Sequence, residues 1–401
     1  MFGKFLKSRG VLLAFLVMLI YGVLVFSIYF TGYRPLPNRV TDLPITLVNQ
    51  DKQSSKLNTQ LKRSLKSFKT VHESSNLDRS INQLKDRQTY LVIDISANFS
   101  KRVQANQPAQ LNFYVNEANQ TMVVNSMENV ATKVGNAVNN RVIISKGQAI
   151  MTTALVQQLR QQMNNLPVTA QAQQSQLVTA QVNKAYQRVN NSVTSNIHRV
   201  NRVRTGLNNS MAPFFISLAT YLGALIGTIV LYGTYVKFAK LTDRFKSFAM
   251  LETVLLGLSL IGGAIVAGTV MAMTGAGTGH FAGIWLTHVL EIMGAYNLNL
   301  IFILLLGQIG AALNILLTMI QVVAGAGMVP VQLMGGFFKA IHAFSPMYYS
   351  IMSDYDLLYA QVSFTGLVSG AFILAIAYLL LNLIIVAFRR KQPFLHFEDL
   401  A

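Results

Sequence analysis

The sequence predicts an α-helical membrane protein with six transmembrane helices, one before and five after an extracellular α/β domain that carries a long helical hairpin. Hydrophobic residues make up 52% of the 401 residues and charged residues only 12%. The charged share of an average soluble protein is about 25%, and the mean hydropathy here is +0.40. So few charges cannot cover a water-soluble globule, and the apolar residues form runs of membrane length.

The first predicted span is residues 11–30, VLLAFLVMLIYGVLVFSIYF, which contain no charge. At helical rise this run is about 30 Å long, the thickness of the hydrocarbon layer. Lys4, Lys7 and Arg9 precede it and favour a cytoplasmic N-terminus. A cleavable signal peptide is the alternative, but TGYRPLP after the run has no small-residue cleavage pattern. Residues 1–33 are therefore predicted as a tail and an uncleaved first helix.

Residues 209–391 are predicted as a five-helix membrane domain. The spans are residues 213–236, 248–274, 283–306, 311–328 and 367–388. Six crossings place the basic loop 237–246, the Arg389-Arg390-Lys391 cluster and the tail 392–401 in the cytoplasm, as the positive-inside rule requires. The expected location is the cell membrane, multi-pass, with both termini cytoplasmic. If the run at 283–306, which polar residues interrupt, fails to cross, the C-terminus lies outside.

Residues 34–119 are predicted as an extracellular α/β subdomain. Short apolar runs predict strands at 43–48, 89–94 and 111–115, and apolar stripes at helical spacing predict helices at 54–68 and 77–87. The order β-α-α-β-β is typical of helices packed on a small sheet.

Residues 120–208 are predicted as an extracellular helical hairpin or stalk. Apolar residues recur there at spacings of three and four. They are Val123, Met127, Val130 and Val134 in one arm, and Val182, Tyr186, Val189, Val193, Ile197 and Val200 in the other. Two interpretations remain open, namely ordinary packing of two helices and a coiled coil that binds a partner.

The positive charge is concentrated in the predicted extracellular segment. Residues 34–207 hold 22 Lys+Arg and 8 Asp+Glu, so +14 of the total +18 lies there. Such a surface attracts polyanions, which on a Gram-positive cell are wall polymers or anionic lipid headgroups. Solvated helix faces are an equally good explanation. No basic motif interleaved with aromatic residues occurs, so nucleic acid is not an expected partner.

Four segments carry a recognisable pattern through their order and spacing: YRPLPNRVTDLPITLVNQD, INQLKDRQTYLVIDISANFSKRV, YVNEANQTMVVNSM and GAGMVPVQLMGGFFKAIHAFSPMYYSI. Together they resemble the YhgE/Pip (phage infection protein) family, which is related to type-2 ABC exporter permeases. The resemblance implies a six-helix permease that works as a homodimer or as a heterodimer with another permease. It also implies outward transport of a substrate, powered by a separate ABC ATPase subunit.

Three groups of residues are candidates for function. The interrupted stretch after the fourth late span predicts a re-entrant hairpin at an outer gate, because Pro and Gly break helices. Its residues are Gly325, Gly327, Pro330, Phe337, Phe338, Pro346, Tyr348 and Tyr349. An aromatic belt that anchors a loop is the alternative. The basic loop with Lys237, Lys240, Arg244 and Lys246 is where the ATPase subunit of a type-2 exporter would dock, or else it serves only as a topology signal.

His288 and Glu291 form the third group. They are three residues apart and therefore share one face of a predicted span. Ionisable groups inside a membrane are functional candidates, for a proton or a substrate. The alternative is that this turn lies at the interface and both groups reach water.

No catalytic residues, metal site or cofactor are predicted. The chain has no Cys, its six His are scattered, and it contains no P-loop, H-E-x-x-H or G-x-S-x-G motif. We therefore expect a non-enzyme that uses ATP only through a separate subunit. Two function classes remain, an exporter permease and a non-transporting surface protein whose basic ectodomain binds wall polymer, phage or a partner protein.

Overall fold

The computed structural model describes residues 23–24, 27–29, 31–33, 38–105, 107–162, 193–360 and 362–388. These residues fall into two compact units. The sheet unit is drawn from Val40–Asn116 and Val123–Val200. The helical unit is drawn from Met1–Arg39, Glu117–Met122 and Asn201–Ala401.

The sheet unit is built on five strands, in the order β2-β1-β3-β4-β5. The strands are β1 Ile45–Asn49, β2 Val71–Ser74, β3 Leu91–Ile95, β4 Ala109–Asn116 and β5 Val193–Val200. Strand β1 is parallel to β2 and β3, while β4 is antiparallel to β3 and parallel to β5. This unit contains the helices α1 Ser55–Ser64, α2 Leu77–Lys85 and α3 Phe99–Gln104, together with helix α4 Thr121–Gln162 from Val123 onward.

The apolar runs of the sequence form the core of this unit. All five residues of β3 are buried, as expected of a central strand covered on both faces. Ile45, Leu47, Ile93 and Phe113 are among its buried side chains. The predicted strands and helices before residue 119 correspond to β1, β3, β4, α1 and α2, but the prediction missed β2 and α3. Strand β2 is short and polar (VHES) and lies at the sheet edge, so it carries no apolar pattern.

One arm of the predicted helical hairpin is a helix, and the end of the other is not. Helix α4 runs for 42 residues. Residues 163–192, with Val182, Tyr186 and Val189, lie outside the described residues. The helix predicted over Val193, Ile197 and Val200 is wrong, because residues 193–200 form β5 and pair with all of β4. The spacing of these apolar residues fits a helix and a strand equally well. β-Branched residues favour a strand, and hydrogen bonding to the edge of β4 stabilises that conformation.

The helical unit contains α5 Ala212–Leu241, α6 Arg244–Thr274, α7 Phe281–Leu306, α8 Gln308–Ala324, α9 Gly336–Ile341, α10 Pro346–Tyr355 and α11 Thr365–Phe388. Among the described residues, four stretches are long and apolar enough to cross a membrane: Ala212–Leu241, Arg244–Thr274, Thr278–Leu306 and Thr365–Phe388. The span predicted at 311–328 corresponds to α8, which is apolar but only 17 residues long. Most of the span predicted at 11–30 lies outside the described residues.

Helix α7 is the central helix of this unit. In its most apolar window 72% of the residues are buried, against 22–33% in the other three stretches. Those three expose large apolar side chains instead, including Ile226, Ile261, Ile265 and Ile373, each more than 60% exposed. An apolar surface of this size is unfavourable in water but is well solvated by lipid chains. The described part of the protein is mostly helical, with four helices long and apolar enough to span a membrane and a small α/β sheet region.

Candidate functional site

Helix α7 approaches α6 closely through glycine. A Cβ atom on Gly263 of α6 would lie 3.0 Å from the carbonyl oxygen of Trp285 and 2.8 Å from a methyl group of Val289. Glycine therefore allows the two backbones to come together, as small residues do between membrane helices. The face of α7 turned to α5 and α10 is polar, and it carries the site.

His288 of α7 lies between two carboxylates. Its Nδ1 is 2.8 Å from Oε2 of Glu291, one turn further along α7, and its Nε2 is 3.3 Å from Oδ2 of Asp354 on α10. All three side chains are at most 1% exposed. The alternative in which His288 and Glu291 reach water at an interface is therefore wrong.

The two carboxylates have very different surroundings. Glu291 accepts hydrogen bonds from Ser217 of α5 and, at 2.8 Å, from Ser350 of α10, in addition to its contact with His288. Neither carboxylate oxygen of Asp354 has a hydrogen bond of good geometry, and its one ion-pair partner among the described residues is His288. Leaving a buried carboxylate undersatisfied is costly, so Asp354 is the least stabilised group of the cluster.

A small cavity adjoins Glu291. Thr287, Ser350, Ser353 and Tyr349 supply its polar lining, and it has room for about one water molecule. Just beyond Asp354, residues Asp356–Ala360 form a π-helical turn. Turns of this kind within helices occur frequently at functional sites.

A layer of buried amides lies further along α7. Asn382 of α11 donates to the backbone and side-chain oxygens of Asn297, both at 2.8 Å. Asn314 of α8 donates to the carbonyl oxygen of Asn299 at 2.8 Å, and Asn297 donates to Glu252 of α6. These bonds tie α7 to three neighbouring helices, so the polar residues that interrupt this span are structural contacts within the bundle.

The predicted outer-gate residues lie in and around two short helices. Gly325 and Gly327 flank the turn after α8, in which Ala326 has a φ of 59°. Pro330 starts a 3-10 turn, Phe337 and Phe338 lie on α9, and Pro346, Tyr348 and Tyr349 lie on α10. Helix α10 is capped by Ser345, whose side chain accepts from the backbone of Tyr348. Phe338 is buried and Phe337 is exposed, and the gate role of these residues stays a prediction.

The predicted docking residues meet in one helical hairpin. Lys237 and Lys240 lie near the end of α5, and Arg244 and Lys246 at the start of α6. Asp243 caps α6 by accepting from the backbone of Phe245 at 2.9 Å. This arrangement presents basic side chains at the tip of a tight connection.

The sheet unit has a polar cluster of its own. Asp94 of β3 is buried and accepts from Asn112 of β4 at 3.1 Å. Burial raises the pKa of Asp94, although the hydrogen bond from Asn112 and the nearby His198 act in the opposite direction. His198 of β5 stacks on Tyr114 of β4 with ring centres 4.8 Å apart.

Sequence reasoning missed Asp354, Ser217 and Ser350. A search for charges inside the apolar half of the chain would have found Asp354, because few acidic residues occur after residue 209. The serines carry no such signal, since a Ser in an apolar helix usually bonds its own backbone.

A family model described as "Protein of unknown function (DUF3533)" matches residues 13–362. The match covers most of the chain, which therefore belongs to this family. No curated protein and no solved structure matches the chain.

Proposed function

We propose that this member of the DUF3533 family is a permease of the cell membrane that moves a substrate outward together with a separate ATPase subunit. The observation that carries the proposal is the cluster of His288, Glu291 and Asp354, buried in an apolar helical bundle. Burying an ion costs several kcal/mol, roughly, even after the protein relaxes. Membrane proteins keep such groups mainly where ions or substrates pass.

Two observations support a separate ATPase subunit. The chain has no P-loop of its own, so ATP-driven transport would need a second protein. The basic hairpin at 237–246 supplies a surface for it, and the resemblance to type-2 exporter permeases supports the same place. In this proposal six helices cross the membrane, both termini are cytoplasmic, and two permease copies form the path.

The test replaces Lys237, Lys240, Arg244 and Lys246 together by Gln. Small molecules and lipids inside and outside the cells are compared by mass spectrometry between a deletion strain and strains with the wild-type or variant gene. The proposal expects a compound whose intracellular level is higher in the deletion strain than in the strain with the wild-type gene. The variant should show the same accumulation although its membrane orientation is unchanged. Wild-type export by a correctly oriented variant would contradict the docking role. A deletion strain that retains nothing would contradict transport.

A second candidate is a non-transporting surface protein whose ectodomain binds anionic wall polymer. The observation that favours it is the excess of +14 over residues 34–207. Deleting the sheet unit while keeping the membrane helices would then cause the whole phenotype, and Glu291→Gln would cause none.

A further inference from the structure

We propose that Glu291, His288 and Asp354 form a proton-binding site, in which Asp354 takes up and releases the exchangeable proton. This inference rests on the membrane location in the proposed function and deepens its transport role. It names a ligand, the proton, and the residue that carries it.

The different partners of the two carboxylates assign the roles. Glu291 accepts from two serine hydroxyls and contacts the imidazole at 2.8 Å. Hydrogen bonds to the charged form favour ionisation, so the two serine donors favour Glu291 over Asp354 as the carboxylate that faces an imidazolium at His288. Asp354 has only the longer contact of 3.3 Å with His288 and no good hydrogen bond. Protonation of Asp354 therefore sacrifices fewer hydrogen bonds and ion-pair contacts than protonation of Glu291 would.

Charge balance defines two states of the site. With imidazolium, a Glu291 carboxylate and a protonated Asp354, the three side chains sum to zero. Release of the Asp354 proton leaves imidazolium between two carboxylates and a net charge of −1. In this second state Asp354 attracts His288 and draws α10 towards α7. Uptake of a proton removes that attraction, so protonation changes how tightly the two helices hold each other.

Within the described part of the chain, no Lys or Arg forms an ion pair with Glu291 or Asp354. The phenols of Tyr221 on α5 and Tyr359 in the π-helical turn interact electrostatically with Glu291 and Asp354, respectively. Tyr349 of α10 lines the cavity beside Glu291, and Asp356 follows Asp354 by two residues. Glu252 of α6 is bonded by Asn297, and Tyr378 of α11 donates to a backbone carbonyl. Helix α8 has no titratable residue.

The site also has a place for the proton to arrive. The cavity beside Glu291 has room for about one water molecule, and Thr287, Ser350 and Ser353, which carry hydroxyl groups, are among its lining residues. Hydroxyls and water both donate and accept, so they can relay a proton. The imidazole has a carboxylate at each ring nitrogen, which suits proton transfer, and the described residues contain no metal-binding cluster.

The test uses dicyclohexylcarbodiimide, an apolar reagent that adds to protonated carboxyl groups, on the purified full-length protein in lipid vesicles. The modified residue is identified by mass spectrometry across a pH series. We expect Asp354 to be labelled most strongly at low pH and the labelling to fall as the pH is raised, because the reagent adds only to the protonated carboxyl. Glu252→Gln is the matched control, because it removes another membrane carboxyl and should leave this labelling unchanged.

Two further variants complete the experiment. Asp354→Asn should abolish the label and also remove the contribution of one protonated carboxyl to the infrared C=O band at low pH, while Glu291→Gln should retain a label at Asp354. A label that does not depend on pH, or one found on Glu291, would overturn the proposal. If Asp354 is unlabelled and the infrared band is unchanged in Asp354→Asn, the site binds no proton. None of these readouts needs a transported substrate, so their failure is distinguishable from failure of the export test.

Discussion

Replacing His288 by Met should destabilise the helical unit strongly, because it removes the side chain that, as imidazolium, balances a buried cluster with two carboxyl groups. Removing one partner of a buried ion pair costs about 3–5 kcal/mol. The substitution deletes an imidazole that lies 2.8 Å from Glu291 and 3.3 Å from Asp354. Glu291 keeps its two serine donors. We therefore expect the lower end, about 3 kcal/mol, or roughly a hundredfold in the unfolding equilibrium.

The loss of stability should depend on pH in a definite direction. At low pH the two carboxyl groups take up protons and no longer need a counter-charge, so the variant approaches the wild type. As the pH rises, the two carboxyl groups of the variant either ionise without a counter-charge or stay protonated against the pH, and each choice costs free energy. The difference in stability between the variant and the wild type therefore grows. The triple variant His288→Met, Glu291→Gln, Asp354→Asn contains no buried charge at this site and should recover most of the stability.

The chain supplies its own probe for this measurement. It has a single Trp, Trp285, which lies one turn before His288 and donates to the carbonyl oxygen of Leu260 at 2.9 Å. Unfolding in mixed micelles with increasing SDS can therefore be followed by its fluorescence. A deficit below about 1 kcal/mol at neutral pH, or one that is the same at every pH, would refute the ion-pair reasoning.

Two predictions concern the sheet unit, both measured by chemical unfolding of the full-length protein. Burial acts to raise the pKa of Asp51, but hydrogen bonds from Ser100 and others prevail and hold it below its usual value. Asp51→Ala should lower the free energy of unfolding by about 1–3 kcal/mol near neutral pH. The ionic part of this loss is present above about pH 4, the ordinary Asp pKa, and disappears as the pH falls through the lower native pKa. A loss of stability that is the same at every pH would contradict this prediction. Gly135→Leu should destabilise by about 1–3 kcal/mol, because a Cβ there would lie 2.9 Å from that of Ser195. Gly147 on the same helix faces open space, so Gly147→Leu should be neutral or stabilising, and equal effects of the two would contradict the packing of α4 on β5.

The sequence predicted those elements whose pattern is local. Buried β3 is a continuous apolar run, and α5, α6 and α7 are apolar over membrane lengths, so composition alone identifies them. Strand β5 is different, because its residues Val193, Ile197 and Val200 fit a helical stripe equally well. Only pairing with β4, more than eighty positions away in the chain, decides its conformation, and no local pattern reports that pairing.

The candidate site was predictable only in part. His288 and Glu291 are one turn apart on a single helix, so their spacing already places them together. Asp354 joins them from α10, a short helix inside a stretch that the sequence presents as interrupted. Its approach to His288 depends on how α7 and α10 pack, which is a tertiary property. A charge inside an apolar segment was the available signal.

The orientation of the helices in the membrane is the claim on which transport and proton uptake both depend. The chain has no Cys, so single cysteines introduced at Val40, Ile150, Thr242, Thr278 and Ala340 are each the sole target of a membrane-impermeant maleimide. On intact cells we expect labelling at all of these positions except Thr242, which should react only after the membrane is opened. Labelling of Thr242→Cys from outside would contradict the account directly.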